Sequence, residues 1–322
     1  MASDLIGQNT LGVSCLVERM HVLEPGLSPP AITTRLMALP APHTYFGGGS
    51  NVVLRGHLDG TAVLELQRLA ALPGPPLRWV TEPVQGIVAA RNRGIAEAMG
   101  SDILVYIDDD EIPLPGLIAA AADAILNEGA QCAGGRVEMD FTTVPRPRWL
   151  EDNLLGFLAA VDHGAQPFWI TDDTTPIWTA NVAYDMRLFR NDASLRFDKR
   201  YDRVGNVTGG GSDAVMFRTL LERGVRIRYR PDMAVLHAVE TWRLRRRYFL
   251  HLHYRGGLRR GQYQLPDYPK KVFGVPPFMV GQSVRHALKA AGMYLGRQPG
   301  ALRQAMNAAH AWGSVVGYRR RT

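Results

Sequence analysis

Residues 105–113 read VYIDDDEIP, and the apolar run that leads into them, Ile103–Ile107, ends in four consecutive acids: Asp108, Asp109, Asp110 and Glu111. An apolar run without polar alternation is what a strand covered on both faces requires, so Ile103–Ile107 reads as a central strand of a parallel sheet. The acids then stand at its carboxyl end, which is where open α/β sheets bind ligands. Four adjacent carboxylates repel one another unless a cation joins them. In a chain of net charge +7, this is the densest negative charge.

The flanking text continues an alternation of strands and helices. Ile87–Met99 has apolar residues at helical spacing, with Gly100 as a C-cap. Leu117–Asn127 is a second helix, ended by Gly129, and Cys132–Met139 a further strand. Leu77–Thr81 is a short strand ahead of them, so the order is that of an α/β fold with a mostly parallel central sheet flanked by helices. Ile177–Met186 is another ordered stretch. A helix from Gly211 to Arg223 closes at Gly224, strand Val225–Tyr229 follows, and Asp232–His237 is a short apolar stretch ending in His. Thr241–Arg260 reads as an Arg-laden helix, and Phe278–Gly296 and Gly300–Tyr318 as amphipathic helices. Before residue 75, strand-like runs at Leu11–Val17, Asn51–Leu54 and Thr61–Leu66 are separated by Pro- and Gly-rich pieces. FGGGSN (46–51) is not a phosphate loop, because the Lys-Ser/Thr that would follow is missing.

The 322 residues are 46% hydrophobic and 21% charged, enough for a sizeable core and against wholesale disorder. Two cysteines, Cys15 and Cys132, make no disulfide framework and no CxxC zinc spacing. A reducing, cytosolic setting is expected, without a secretory signal in residues 1–20 and without an apolar run of the roughly 18 residues that a membrane span needs. The charge is uneven. From Thr241 onward there are 16 of the 37 Lys+Arg and only one of the 30 acids, Asp267. A pI of 9.6 points to anionic partners.

Oxygen-only ligands at 108–111 suit Mg²⁺ or Mn²⁺, which commonly bridge to substrate phosphates. Asp108 and Asp110 are two apart and share a face in extended chain. On the residues alone, a metal–phosphate site and a solvated acidic turn both remain open.

The context resembles inverting family 2 glycosyltransferases, which have the GT-A fold, and is similar to bacterial exopolysaccharide enzymes of the succinoglycan type. The resemblance runs over about Leu77 to Gly261 in four ordered pieces: EPVQGIVAARNRGIAEAMGSDILVYIDDDE (82–111), WTANVAYDMRLF (178–189), FDKRYDRVGNVTGGGSDAVMF (197–217) and PDMAVLHAVETWRLRRRYFLHLHYRGG (231–257). It implies a GT-A catalytic domain over 1–240 and a basic helical region over 241–322. It implies a nucleotide-sugar donor, a UDP-sugar, and a glycan or polyprenyl-diphosphate-linked acceptor in cell-surface polysaccharide synthesis. Asp110 and His237 become metal ligands; Asp108, Asp109, Arg91 and Asn92 become donor contacts. Asp213 becomes the base, with Ser212 standing where the family has Glu. Trp178, Asn181 and Ser212 are acceptor-side candidates. The family's opening motifs are not found in residues 1–65, which leaves two readings: another set of nucleotide contacts, or altered coding text. A non-catalytic relative that binds a membrane or a partner is the alternative function.

In RLRRRYFLHLHYRGGLRRG (243–261) Arg alternates with aromatics. A peripheral contact with the inner membrane surface is expected there, or a contact of Arg243, Arg245, Arg246 or Arg247 with the diphosphate, rather than nucleic acid.

Overall fold

The computed structural model describes residues 13–18, 51–55, 71, 80, 82–108, 110–202 and 211–321. They fall into two compact units. The first is an eight-stranded sheet with helices. Its strands are β1 (Val13–Glu18), β2 (Asn51–Arg55), β3 (Ile103–Asp108), β4 (Glu111–Pro113), β5 (Cys132–Asp140), β6 (Phe168–Ile170), β7 (Asn181–Asp185) and β8 (Ile227–Ala238). Its helices are α1 (Ile87–Glu97), α2 (Leu117–Leu126), the short α3 (Arg187–Asn191) and α4 (Ser212–Glu222). The strand order is β2-β1-β3-β7-β5-β8-β4, with β6 also on β8.

The sheet is mixed, not mostly parallel as the sequence suggested. β1 runs parallel to β2 and β3, and β5 to β8. β7 lies antiparallel between β3 and β5, and β4 and β6 are antiparallel to β8. A buried apolar run reads the same whichever way its neighbour points, so periodicity could not show the reversal at β7. The predicted strand Thr61–Leu66 lies outside the described residues, as does Leu77–Thr81 apart from Val80.

Ile103–Ile107 are fully buried among Leu117, Ala121, Val182, Ala183, Phe217 and Tyr229. Helix α1 begins after Gly86, whose φ of +142° suits only glycine, and Asp202 accepts a hydrogen bond from the Val88 amide (3.0 Å) at that N-terminus. Gly129 (φ +73°) and Gly224 (φ +66°) close α2 and α4 in the left-handed region, as read from the sequence. Where β8 lies, the sequence implies a strand over Val225–Tyr229 and a separate apolar stretch over Asp232–His237. β8 is one strand, because the register against β5 jumps from Gly135↔Arg230 to Arg136↔Ala234 and takes Pro231 up in a bulge.

The second unit comprises Arg146–Leu150 and the chain from Glu240 onward. It contains α5 (Arg246–Arg259), a π-turn (Arg260–Gln264), α6 (Pro277–Leu295) and α7 (Ala301–Arg319). α5 starts at Arg246 and not at Thr241, because Glu240–Arg245 form turns (Arg243 N–H to Glu240 C=O, 2.9 Å; Leu244 N–H to Thr241 C=O, 3.2 Å). Tyr248 and Phe249 are buried, with Trp149 edge-on to Phe249 at 5.6 Å. Gly257 and Gly261 lie against the His310 and Ser314 carbonyls of α7, and Gly313 and Gly317 against those of Tyr254 and Leu258, letting the backbones approach where a Cβ would meet a carbonyl oxygen. α6 ties to α7 through Gln304 Nε2, which donates to the His286 carbonyl (3.2 Å), and through packing of Met279 and Val275 on Val315 and Tyr318. No helix among the described residues is long and apolar enough to cross a membrane.

Candidate active site

Two groups of side chains form at one end of the sheet. The first grows from the turn after β3. β4 leaves that turn and pairs antiparallel with β8, register Glu111↔His237, while the Asp110 carbonyl accepts from the Ala238 amide (2.8 Å). Glu111 thereby points inward and is 0% exposed, and its Oε2 accepts from the Asp108 amide (3.1 Å). His237, 2% exposed, places Nδ1 3.4 Å from Asp110 Oδ1 and 3.4 Å from Glu111 Oε1. The pairing of β4 with β8 brings a predicted metal pair, Asp110 and His237, together across 127 residues of chain.

These donors fit a small divalent cation. Two ligands on one octahedral ion at about 2.1 Å sit about 3 Å apart, close to the 3.4 Å between His237 Nδ1 and Asp110 Oδ1. Carboxylate plus imidazole is a donor set for Mn²⁺ or Mg²⁺ that leaves positions for phosphate oxygens and water. No group of three or more His, Cys, Asp or Glu that could hold an ion occurs among the described residues. Asp109, expected as a donor contact, lies outside them.

The second group is centred on Asp213 in the first turn of α4. Its Oδ1 accepts from the Arg91 guanidinium and from the Thr179 hydroxyl. Arg91 also donates to Ser212 Oγ (3.0 Å), lies over the Phe197 ring at 5.4 Å, and has its carbonyl bonded by the Tyr106 hydroxyl (2.7 Å).

The sheet register aligns the two groups. β7 starts opposite Ile107, so Thr179 and Ala180, just before it, stand beyond the end of β3 where the acids begin. β8 runs parallel to β5, and both run with β3, so His237 is at the same end.

Several expected donor and acceptor contacts have other work. Arg91 does not face an open side: at 2% exposure its guanidinium is committed to Asp213 and Ser212. Asn92 spends both ends of its amide on the Phe197 backbone (3.0 and 2.9 Å). Asn181 is buried and donates to the Arg136 and Met233 carbonyls (3.1 and 2.7 Å), pinning the bulge between β5 and β8. Ser212 is buried under Arg91, and Trp178 is half-buried against the core. Glu111 and Thr179 were not singled out as site residues. Glu111 had a signal, since it closes the acid run 108–111 at the end of β3; Thr179 had none.

Residues 59–193 match the family model described as glycosyl transferase family 2. Among solved structures, the chain is similar to the mannosyltransferase PcManGT from Pyrobaculum calidifontis, in complex with GDP-Man and Mn²⁺ (TM-score 0.56, 16% identity, 95% of this chain and 86% of that one). It is also similar to GalNAc-T7 with UDP, GalNAc and Mn²⁺ (TM-score 0.54, 13% identity, 80% of this chain). That match spans 52% of the GalNAc-T7 chain, about half its length. The chain has the GT-A fold. The domain match and this fold together support a glycosyltransferase. No curated protein matches the sequence.

Proposed function

We propose that the protein is an inverting glycosyltransferase that moves a sugar from a nucleotide-diphospho-sugar to a hydroxyl of a glycan or polyprenyl-diphosphate-linked acceptor. The observation that carries this reading is the convergence at one sheet end of Asp110–His237 and of Asp213 held by Arg91 and Thr179. The donor class is taken from the GDP-Man and UDP of the two similar structures and from the family match.

Inversion needs an acceptor oxygen that attacks the anomeric carbon as the bond to the diphosphate breaks on the opposite face. The acceptor proton must leave as that bond forms. Asp213 is 31% exposed, and both its contacts use Oδ1, so Oδ2 is the atom that takes the proton. Arg91 and Thr179 fix the carboxylate's orientation. Asp110 and His237, with Asp108 beside them, would hold Mn²⁺ or Mg²⁺, which supplies charge neutralisation of the departing diphosphate. Glu111 bonds the Asp108 amide and lies beside the His237 ring, so it sets the geometry of that turn. We extend the reading to exopolysaccharide or other surface-glycan assembly at the cytoplasmic face of a membrane, supported by the basic C-terminal region.

Calorimetric titration of UDP, GDP and dTDP into the protein, with and without Mn²⁺ and with Asp110→Ala, tests it. Metal-dependent binding of one nucleotide, lost in the variant, is expected. Absence of binding by all three would leave the non-catalytic relative as the better reading.

A further inference from the structure

The membrane-facing surface expected on the Arg-rich segment 243–261 is not available on α5, since Tyr248 and Phe249 are buried and the glycine face lies against α7. The apolar surface that does face outward is on α6 and the turn before it. At 3.6 residues per turn, Val280, Val284, Leu288, Ala291 and Leu295 fall within an arc of about 80°. All are exposed, Leu288 to 70% and Leu295 to 87%. Met279, Ser283 and Ala290 form the separate face that is buried. Arg285 and Lys289 flank the exposed stripe on its other side.

The turn ahead of α6 presents a further apolar side chain at a conformational cost. Val272 and Val275 close a two-residue loop with paired hydrogen bonds (2.9 and 3.1 Å). Its central residues, Phe273 (φ +51°) and Gly274 (φ +80°), both lie in the left-handed region, a turn that normally takes Asn-Gly or Asp-Gly. A bulky aromatic at such a position is unfavourable, yet Phe273 is 91% exposed and so gains no packing in return. Burial of its ring in another phase would offset that cost.

The charge around these residues selects the phase. Residues 268–322 carry nine Lys and Arg and no Asp or Glu. Lys270, Arg285 and Lys289 have no ion-pair partner among the described residues. An apolar arc bordered by cations, with an aromatic at its entrance, matches the requirements of a helix lying in an anionic lipid interface.

We infer that Phe273 and the outer face of α6 form a docking surface for anionic lipid bilayers. The inference gives a place to the membrane-side part of the proposed function, but lipid binding is read without donor, metal or turnover, so either can fail alone. Cosedimentation with vesicles of equal parts phosphatidylglycerol and phosphatidylcholine, and with phosphatidylcholine alone, is the test. Binding to the anionic vesicles is expected, with about 10-fold or greater weakening by Leu288→Ser/Leu295→Ser at unchanged charge. Phe273→Ser alone should weaken it by a smaller factor, and Lys270→Gln/Lys289→Gln should weaken it several-fold. These side chains are exposed, so circular dichroism should be unchanged in every variant. Anionic binding unaltered by the serine variants would overturn the inference in favour of diffuse attraction to the basic chain. Absence of vesicle binding would overturn it as well; a concentration-dependent dimer lost in Leu288→Ser/Leu295→Ser would then assign the face to a second copy.

Discussion

Arg91 of α1 and Asp213 of α4 form an ion pair across 122 positions of sequence, with the guanidinium 2% exposed and the carboxylate 31% exposed. The pair links the helix before the acid turn to the helix that carries the proposed base. Removing one partner of a buried pair leaves the other uncompensated and costs about 3–5 kcal/mol. Asp213 keeps some access to water, so Arg91→Met is expected near the lower end, read by chemical denaturation. Arg91→Lys should stay folded more easily and still lose turnover, because one nitrogen, Nη1, donates to both Ser212 and Asp213 and the shorter lysine side chain places its ammonium short of that position.

Asp213→Asn separates base from frame. The amide is nearly isosteric and its oxygen can still accept from Thr179 and Arg91, but the buried Arg91 charge loses its counter-ion. Stability should fall, while metal-dependent nucleotide binding should persist in the folded protein. Transfer should fall by about 10²–10⁴, the usual contribution of general base catalysis. Thr179→Val keeps the carboxylate and removes one orienting bond, so its loss should be much smaller, with turnover affected more than donor affinity. Transfer rates and nucleotide titrations on the same two variants check this, and a fully active Asp213→Asn would remove the residue from the mechanism.

The sequence made β3, its acid turn and several helix ends legible because each has a local physical signature. Ile103–Ile107 is apolar throughout, and Gly129 and Gly224 adopt the left-handed conformation that their positions implied. The meeting of Asp110 with His237 came only from family resemblance, since its cause is the non-local pairing of β4 with β8. The burial of Arg91 was not legible because charged residues are rarely buried without a partner, and its partner lies far along the chain. The burial of Asn181 was not legible for a similar reason: its amide serves the backbone at a bulge that no local pattern announces.

Glu111 and His237 should act on metal affinity by different routes. His237→Gln removes a proposed ligand, while Glu111→Gln leaves the ligands and disturbs the groups beside them. Loss of an orienting partner typically costs about 10–100-fold in metal affinity or activity. Mn²⁺ titrations in the presence of saturating nucleotide should therefore show weakening in Glu111→Gln, and a larger loss in His237→Gln. Equal effects would indicate that His237 positions the turn rather than holding the ion.

The second unit should loosen in mild acid. Burial holds the His253 imidazole below its ordinary pKa, with a further push from Arg303 against a raising bond to the Phe249 carbonyl. Burial does the same for His310, assisted by Arg260 and His253. Both rings are then neutral in the folded state and protonate more readily when unfolded. Their contribution is complete above the unfolded value of about 6.5 and is lost as pH falls from there toward the depressed folded values. Protection factors in α5 and α7, with the intrinsic exchange rate at each pH divided out, should fall as pH is lowered from about 7.5 to about 5.5, and His253→Gln/His310→Gln should flatten that dependence.

Glycines on different helices of this unit should respond with opposite sign to the same substitution. An Ala in place of Gly in a helix interior is normally worth up to about 1 kcal/mol of stability, through lower unfolded-state entropy and better propensity. At Gly281 and Gly292 of α6 nothing lies within 4 Å of an added Cβ, so Ala should stabilise. At Gly313 the added Cβ runs into the Tyr254 carbonyl oxygen, and at Gly317 into that of Leu258. Backbone atoms cannot swing aside as a side chain can, so α5 and α7 must move apart. Overpacking of this kind costs about 1–3 kcal/mol, enough to reverse the propensity gain. Thermal unfolding of Gly292→Ala and Gly317→Ala is the comparison: a rise in the first and a fall in the second is expected, and a rise in both would mean that the α5–α7 seam is not as close as its glycines allow.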